Sequence, residues 1–165
     1  MSAIRKRAIA GLKAGDSFTV SRTFREAETV AFADISRDYN PVHFDLRFAQ
    51  AKGFRDRICH GLLVASMLTE VGGQIGWLAS GMNFRFKKPV YFGDTIACCV
   101  TIIEIDDRNR AKAEAVLKNQ QGEIVLEAFL TGIIPGVPER RVMEAMLAEA
   151  DRPDRQKAIS ADDES

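Results

Sequence analysis

The sequence predicts an α+β fold in which one antiparallel β-sheet wraps around a single long apolar helix. Three observations carry that expectation. Residues 61–78 read GLLVASMLTEVGGQIGWL, apolar on almost every side when wound at 3.6 residues per turn, so this helix must be buried by its surroundings. After Gly81 the hydrophobic period changes from helical to two and stays there through four strand signals separated by turn residues. The last two of those strands carry wholly apolar faces, Ala113, Ala115 and Leu117 in one and Ile124, Leu126, Ala128 and Leu130 in the other. An antiparallel meander with one buried face has that pattern, and a sheet around one apolar helix satisfies all three observations.

The elements follow in order. Residues 1–15 form a polar N-terminal extension, 16–136 the domain, 137–151 a C-terminal amphipathic helix, and 152–165 a polar tail expected to be disordered. Phe18 and Val20 alternate with Thr19 and Ser21, a short strand signal. Thr23 and Glu26 have capping-box spacing, and Ala27, Val30, Ala31 and Ile35 recur at helical intervals. This helix cannot continue past Asn40, because Pro41 lacks an amide hydrogen and turns the preceding residue out of the helical region. A second short helix is expected between Asp45, a capping type, and Gly53, a terminator type. Gly72, Gly73 and Gly76 cost the central helix on the order of 1 kcal/mol each against Ala, and are expected to face a cavity. Leu78, Ala79, Ser80 and Gly81 form a brief link. Met82, Phe84 and Phe86 then alternate with Asn83, Arg85 and Lys87, and Pro89 and the Gly93-Asp94 pair break the chain. Strands are expected over 95–105, 111–118 and 123–134. The last helix places Val142, Met143, Met146, Leu147 and Ala150 on one side.

Composition bounds the function. A chain of 165 residues builds one domain with a core of its own. Lys+Arg and Asp+Glu balance at 23 each with no long single-sign block, which argues against a nucleic-acid or polybasic membrane partner and for a small molecule. Cys59, Cys98 and Cys99 are odd in number and two are adjacent, which suits neither a disulfide framework nor a spaced zinc site and fits a reducing cytoplasm. No stretch approaches the roughly 20 apolar residues that span a bilayer, and no long apolar run precedes Asp16. The protein is expected to be soluble and cytoplasmic.

Residues 33–61 hold both histidines of the chain. Asp38 stands just before the Pro41 break and His43 just after it, so both side chains can enter one cleft and hold a water. A helix-ending Asp-x-Asn-Pro turn beside a structural histidine accounts for the same spacing. Gly61 opens the apolar helix, where the first amides lack acceptors and lie at the positive end of the dipole, able to stabilise charge on a carbonyl oxygen. Alternatively Gly61 permits tight packing beside His60. Together, an acid/base pair and an amide donor supply what reversible water addition next to a carbonyl requires.

The run Asp38-Tyr39-Asn40-Pro41-Val42-His43, followed by Phe44-Asp45, Ala49 and Ile58-Cys59-His60-Gly61-Leu62-Leu63-Val64-Ala65-Ser66, closely resembles the hydratase-2 motif of MaoC-like, (R)-specific enoyl-CoA hydratases. Phe84-Arg85-Phe86-Lys87-Lys88-Pro89-Val90 and Gly93-Asp94-Thr95 resemble that family's later strand and turn. The resemblance covers roughly residues 16–134. It implies a hot-dog fold that commonly pairs into a homodimer, and reversible hydration of trans-2-enoyl thioesters to (R)-3-hydroxyacyl thioesters. It further implies that Asp38 and His43 activate the water and pass a proton to the α-carbon, and that the Gly61 amide binds the thioester carbonyl. Asn40 would shape the turn, while Ser66, Thr69 and Gly72 would line the pocket or, for the hydroxyls, bond back to the helix backbone. No metal or other cofactor is implied; coenzyme A or an acyl carrier is part of the substrate. The short 78–81 link departs from the longer Pro-Gly loop of better-known hydratases, so the acyl pocket is expected to differ.

Two rivals remain. A hot-dog thioesterase would use Glu70 of the central helix as base, its pKa raised by burial. A non-catalytic acyl-thioester-binding subunit would need none of the Asp38, His43 and Gly61 set. Arg85, Lys87 and Lys88 either meet the phosphates of coenzyme A or form the solvated face of a strand.

Overall fold

The computed structural model describes residues 3–150, so the expected tail lies outside the described residues. Its elements are α1 (Ala3–Ala10), β1 (Ser17–Thr23), α2 (Glu26–Ser36), a 3-10 turn (Pro41–His43), α3 (Leu46–Ala51), α4 (Gly61–Ala65), α5 (Met67–Ile75), β2 (Leu78–Phe86), β3 (Thr95–Ile105), β4 (Arg110–Lys118), β5 (Ile124–Ile133) and α6 (Val137–Ala150). The five strands make one antiparallel sheet in the order β1-β3-β4-β5-β2, with α4 and α5 packed on its inner face. This is the hot-dog arrangement that the hydrophobic patterning anticipates. Ile96, Cys98, Val100 and Ile102 of β3 and Ala113, Ala115 and Leu117 of β4 alternate inward against Met67, Leu68, Val71 and Ile75 of α5.

Several expectations need correction. The apolar segment is not one helix running to Leu78: it breaks at Ser66 and ends at Ile75, where Gly76 takes a left-handed conformation (φ 76°) as the cap. At the break Ser66 Oγ donates to the Leu63 carbonyl and Thr69 Oγ1 donates to the Ser66 carbonyl, both at 2.6 Å, so side chains compete with the helical ladder. The helix is also not buried all round, since Leu62, Thr69 and Glu70 face outward where the sheet does not reach. The 78–81 link is instead the first part of β2, paired with β5 through a bulge between Ala79 and Gly81.

At the start of α2 the capping box is Arg25 with Glu28, whose Oε2 accepts from the Arg25 amide at 2.8 Å, while Thr23 Oγ1 pairs with Thr95 Oγ1 across the sheet. The helix buries Thr29 and Ala33 with Phe32 half-buried, and Ala27, Val30, Ala31 and Ile35 point outward, Ile35 being 84 % exposed. Of the apolar side of α6, Met143 is buried and Leu147 partly so, whereas Val142 and Met146 are exposed. The 1–15 segment contains α1, whose weak intrinsic pattern is overridden by tertiary contacts. Ala8 is buried, Arg5 Nη2 donates to the Gly73 carbonyl at 2.7 Å, and Arg7 Nη2 meets Asp16 Oδ1 at 2.7 Å.

Candidate active site

The α2 helix stops at Ser36 because Arg37 turns left-handed (φ 58°), which sends Asp38 across the entrance of the α4 helix. Asp38 Oδ1 accepts from the Asn40 amide at 3.2 Å, and Asn40 Oδ1 accepts from the Val42 amide at 3.3 Å, capping the 3-10 turn that carries His43. Asn40 thus shapes the turn. Asp38 Oδ2 is left facing two imidazoles, 4.0 Å from His43 Nε2 and 3.9 Å from His60 Nε2. His43 and His60 are 7 % and 1 % exposed, while the Asp38 side chain is half exposed.

Hydrogen bonding assigns the His43 tautomer. Its Nδ1 lies 2.8 Å from the Ile58 carbonyl oxygen, which can only accept, so Nδ1 carries the hydrogen and Nε2 presents a lone pair to Asp38. Burial, with the neighbouring His60 ring, holds His43 below the usual histidine value, outweighing the Ile58 bond and the Asp38 carboxylate. A neutral imidazole and a carboxylate 4.0 Å apart cannot bond each other directly, but a water about 2.8 Å from each would donate one hydrogen to either.

These groups line a cavity of about 470 Å³ whose walls include Phe54, Ile58, Gly61, Leu62, Phe86 and Val125. Gly61 is the first residue of α4, so its amide has no acceptor one turn back. A Cβ at Gly61 would stand 2.7 Å from the Phe86 ring, so the glycine also permits the close approach of that ring. Cys59 lines the same cavity, yet burial pushes its thiol up to about 11, which keeps it protonated and unreactive.

Ser66, Thr69 and Gly72 do not line this cavity. Both hydroxyls return to the helix backbone, and Thr69, Gly72 and Gly73 instead line a second cavity of about 280 Å³ with Leu68, Trp77, Met82 and Leu130. Thr69 and Gly72 belong to α5, beyond the break at Ser66, whereas Gly61 opens α4. Glu70 is exposed and lines neither cavity, so it lacks the buried position that the thioesterase alternative requires. Lys87 and Lys88 reach the mouth of the first cavity but are ion-paired to Glu127 and Glu123, and Arg85 lies in a groove on the other face of the sheet. His60 is the site residue that sequence reasoning passed over; its place directly before Gly61 was the available signal.

Asp38, His43 and His60 could be ranked as a metal cluster, since one ligand atom from each lies within 4.8 Å of the others. However, His60 Nε2 sits 2.8 Å from the Asp38 carbonyl oxygen and so carries a hydrogen, which removes that nitrogen as a ligand in this arrangement.

Residues 11–123 match the MaoC like domain. The chain belongs to the MaoC-like family. It is accordingly an enzyme of the hydratase and dehydratase kind, a hydro-lyase. Among the relatives of this MaoC-like chain, the (R)-specific enoyl-CoA hydratase of Aeromonas caviae is 32 % identical over 120 residues, covering 70 % of this chain and 90 % of that protein. A mitochondrial 3-hydroxyacyl-[acyl-carrier-protein] dehydratase of Arabidopsis thaliana is 32 % identical over 132 residues, covering 76 % and 80 %. The solved structure of the A. caviae (R)-hydratase involved in PHA biosynthesis superposes with a TM-score of 0.71 at 31 % identity, covering 76 % of this chain and 98 % of that one. The α6 helix lies outside the matched 11–123 region, as does α1.

Proposed function

We propose that this MaoC-like enzyme is an (R)-specific enoyl-thioester hydratase, adding water reversibly to trans-2-enoyl thioesters to give (R)-3-hydroxyacyl thioesters. The observation that carries the proposal is the 4.0 Å gap between Asp38 Oδ2 and the His43 Nε2 lone pair, opening into a cavity that Gly61 heads. The pair holds one water. Its oxygen attacks the β-carbon while the pair removes one water proton. The double-bond electrons move to the α-carbon and into the thioester carbonyl, whose developing charge the Gly61 amide receives. The pair then delivers a proton to the α-carbon, so the elements of water are added across the double bond; dehydration is the reverse. The scheme uses no metal or other cofactor, and coenzyme A or an acyl carrier serves as the handle of the substrate.

Chain length follows from the two cavities. In this reading a four-carbon acyl group occupies the first cavity, and a longer one would have to extend toward the separate second cavity that Gly72 and Gly73 line. A homodimer accounts for β2, an edge strand whose Leu78, Met82 and Phe86 are exposed. Among the described residues no helix is long and apolar enough to cross a membrane. With three unpaired cysteines, we assign the cytoplasm. The test is loss of enoyl absorbance with crotonyl-CoA and a longer enoyl-CoA, run beside Asp38→Asn and His43→Ala. Full activity in both variants would refute the assignment.

A further inference from the structure

We infer that His60 is a positioning residue for the hydration reaction, one side chain that fixes the carboxylate, the imidazole and the helix-start amide relative to one another. The inference rests on the hydratase assignment. Its geometry stands independently. His60 Nε2 donates to the Asp38 carbonyl oxygen at 2.8 Å, across 22 residues of sequence. Asp38 otherwise sits on an exposed turn two residues beyond the end of α2, so this bond ties the carboxylate-bearing peptide to the core. The His60 ring also lies against that of His43, with centroids 3.8 Å apart and planes inclined by 31°, while Phe32 and Phe44 flank it at 5.1 and 6.1 Å. The next residue in the chain is Gly61.

A simple core-filling role does not explain the choice of side chain. With Nε2 carrying the hydrogen, Nδ1 is a buried acceptor with no partner among the described residues. Leaving such an atom unpaired is a cost that an apolar ring of similar size would not carry. What histidine supplies and phenylalanine lacks is the Nε2 donor to Asp38. Losing it frees the Asp38 turn, and the 4.0 Å water gap widens or varies.

Two substitutions separate positioning from filling. His60→Phe keeps the ring and loses the donor; His60→Gln keeps a terminal N–H at the reach of Nε2 and loses the ring. With crotonyl-CoA, His60→Phe is expected to lower kcat on the order of 100-fold with KM nearly unchanged, as a misplacement of about 1 Å does. His60→Gln is expected to return kcat to within about tenfold of the parent, a cost in line with a retained hydrogen bond. A structural role predicts the opposite order, and a phenylalanine variant as active as the parent, or more active than the glutamine variant, overturns the inference. If either variant fails to fold, the ¹⁵N spectrum of the parent's histidine rings decides. Hydrogen on Nε2 of His60 and on Nδ1 of His43 supports the inference, and hydrogen on Nδ1 of His60 overturns it. A parent that hydrates no enoyl thioester would sink the hydratase assignment while leaving these tautomers readable.

Discussion

Asp38 and His43 stand too far apart to bond and close enough to share a water, and their unequal exposure gives them different parts. In the proposed reaction Asp38, open to solvent, exchanges the water, whereas His43 is walled in and held below the usual histidine value by burial. Replacing either, as Asp38→Asn or His43→Ala, is expected to lower kcat by about 10²–10⁴-fold with little change in melting temperature for the exposed Asp38, which steady-state kinetics and thermal melts check. The depressed His43 value sets the sign of two pH effects. As the proposed base, His43 takes up its proton below the ordinary 6.5, so the acidic limb of the kcat/KM profile should fall below that value. The unfolded chain takes up this proton first, so stability attributable to His43 is complete above 6.5 and declines as pH falls from there toward the folded-state value. Denaturant melts between pH 7 and 5, comparing the parent with His43→Gln, read that slope. At this scale the sequence disclosed that Asp38, His43 and Gly61 meet at one cavity, because Pro41 and the glycine fix them within short segments. It could not disclose the bond from His60 to Asp38, which spans 22 residues, or the Phe86 ring against Gly61.

Helices and strands differ in how much of their geometry was legible. Most strand faces were, since a period of two with one apolar face leaves little freedom in which side turns inward, and in β3 the alternation holds from Thr95 to Ile102, where a bulge shifts the register. Helix faces were not. In α2 and α6 the apolar residues Val30, Ile35, Val142 and Met146 are exposed, while a threonine, Thr29, is buried, so hydrophobicity misidentified the packed side. Nor did periodicity show the break at Ser66, which arises from hydroxyls turning on their own backbone. A Cβ at Gly73 would meet nothing within 4 Å and its φ is not positive, so Gly73→Ala should raise stability by about 0.5–1 kcal/mol, read from denaturant midpoints. Gly72→Leu fills the second cavity instead. It is expected to spare crotonyl-CoA and to depress kcat/KM for long enoyl chains about tenfold or more, and equal losses on both would disconnect that cavity from the acyl chain.

For the molecule as a whole, the sheet leaves β2 at an edge, with Leu78 70 % exposed and Phe129 and Ile133 of the neighbouring strand also uncovered. Unpaired edges with apolar side chains favour association, and sedimentation at micromolar concentration should show twice the chain mass. The family match does not reach α1, yet α1 packs on α5 and its Arg5 holds the Gly73 carbonyl, so α1 braces the end of the central helix farther from Gly61. The proposed chemical outcome is water added to one face of an enoyl thioester without breaking the thioester. The direct measurement follows a trans-2-enoyl-CoA in the presence of a thiol reagent and determines the configuration of the product. Loss of enoyl absorbance, no thiol release and an (R)-3-hydroxyacyl product are predicted; thiol release without a hydroxyacyl product, or an (S) product, would contradict the account.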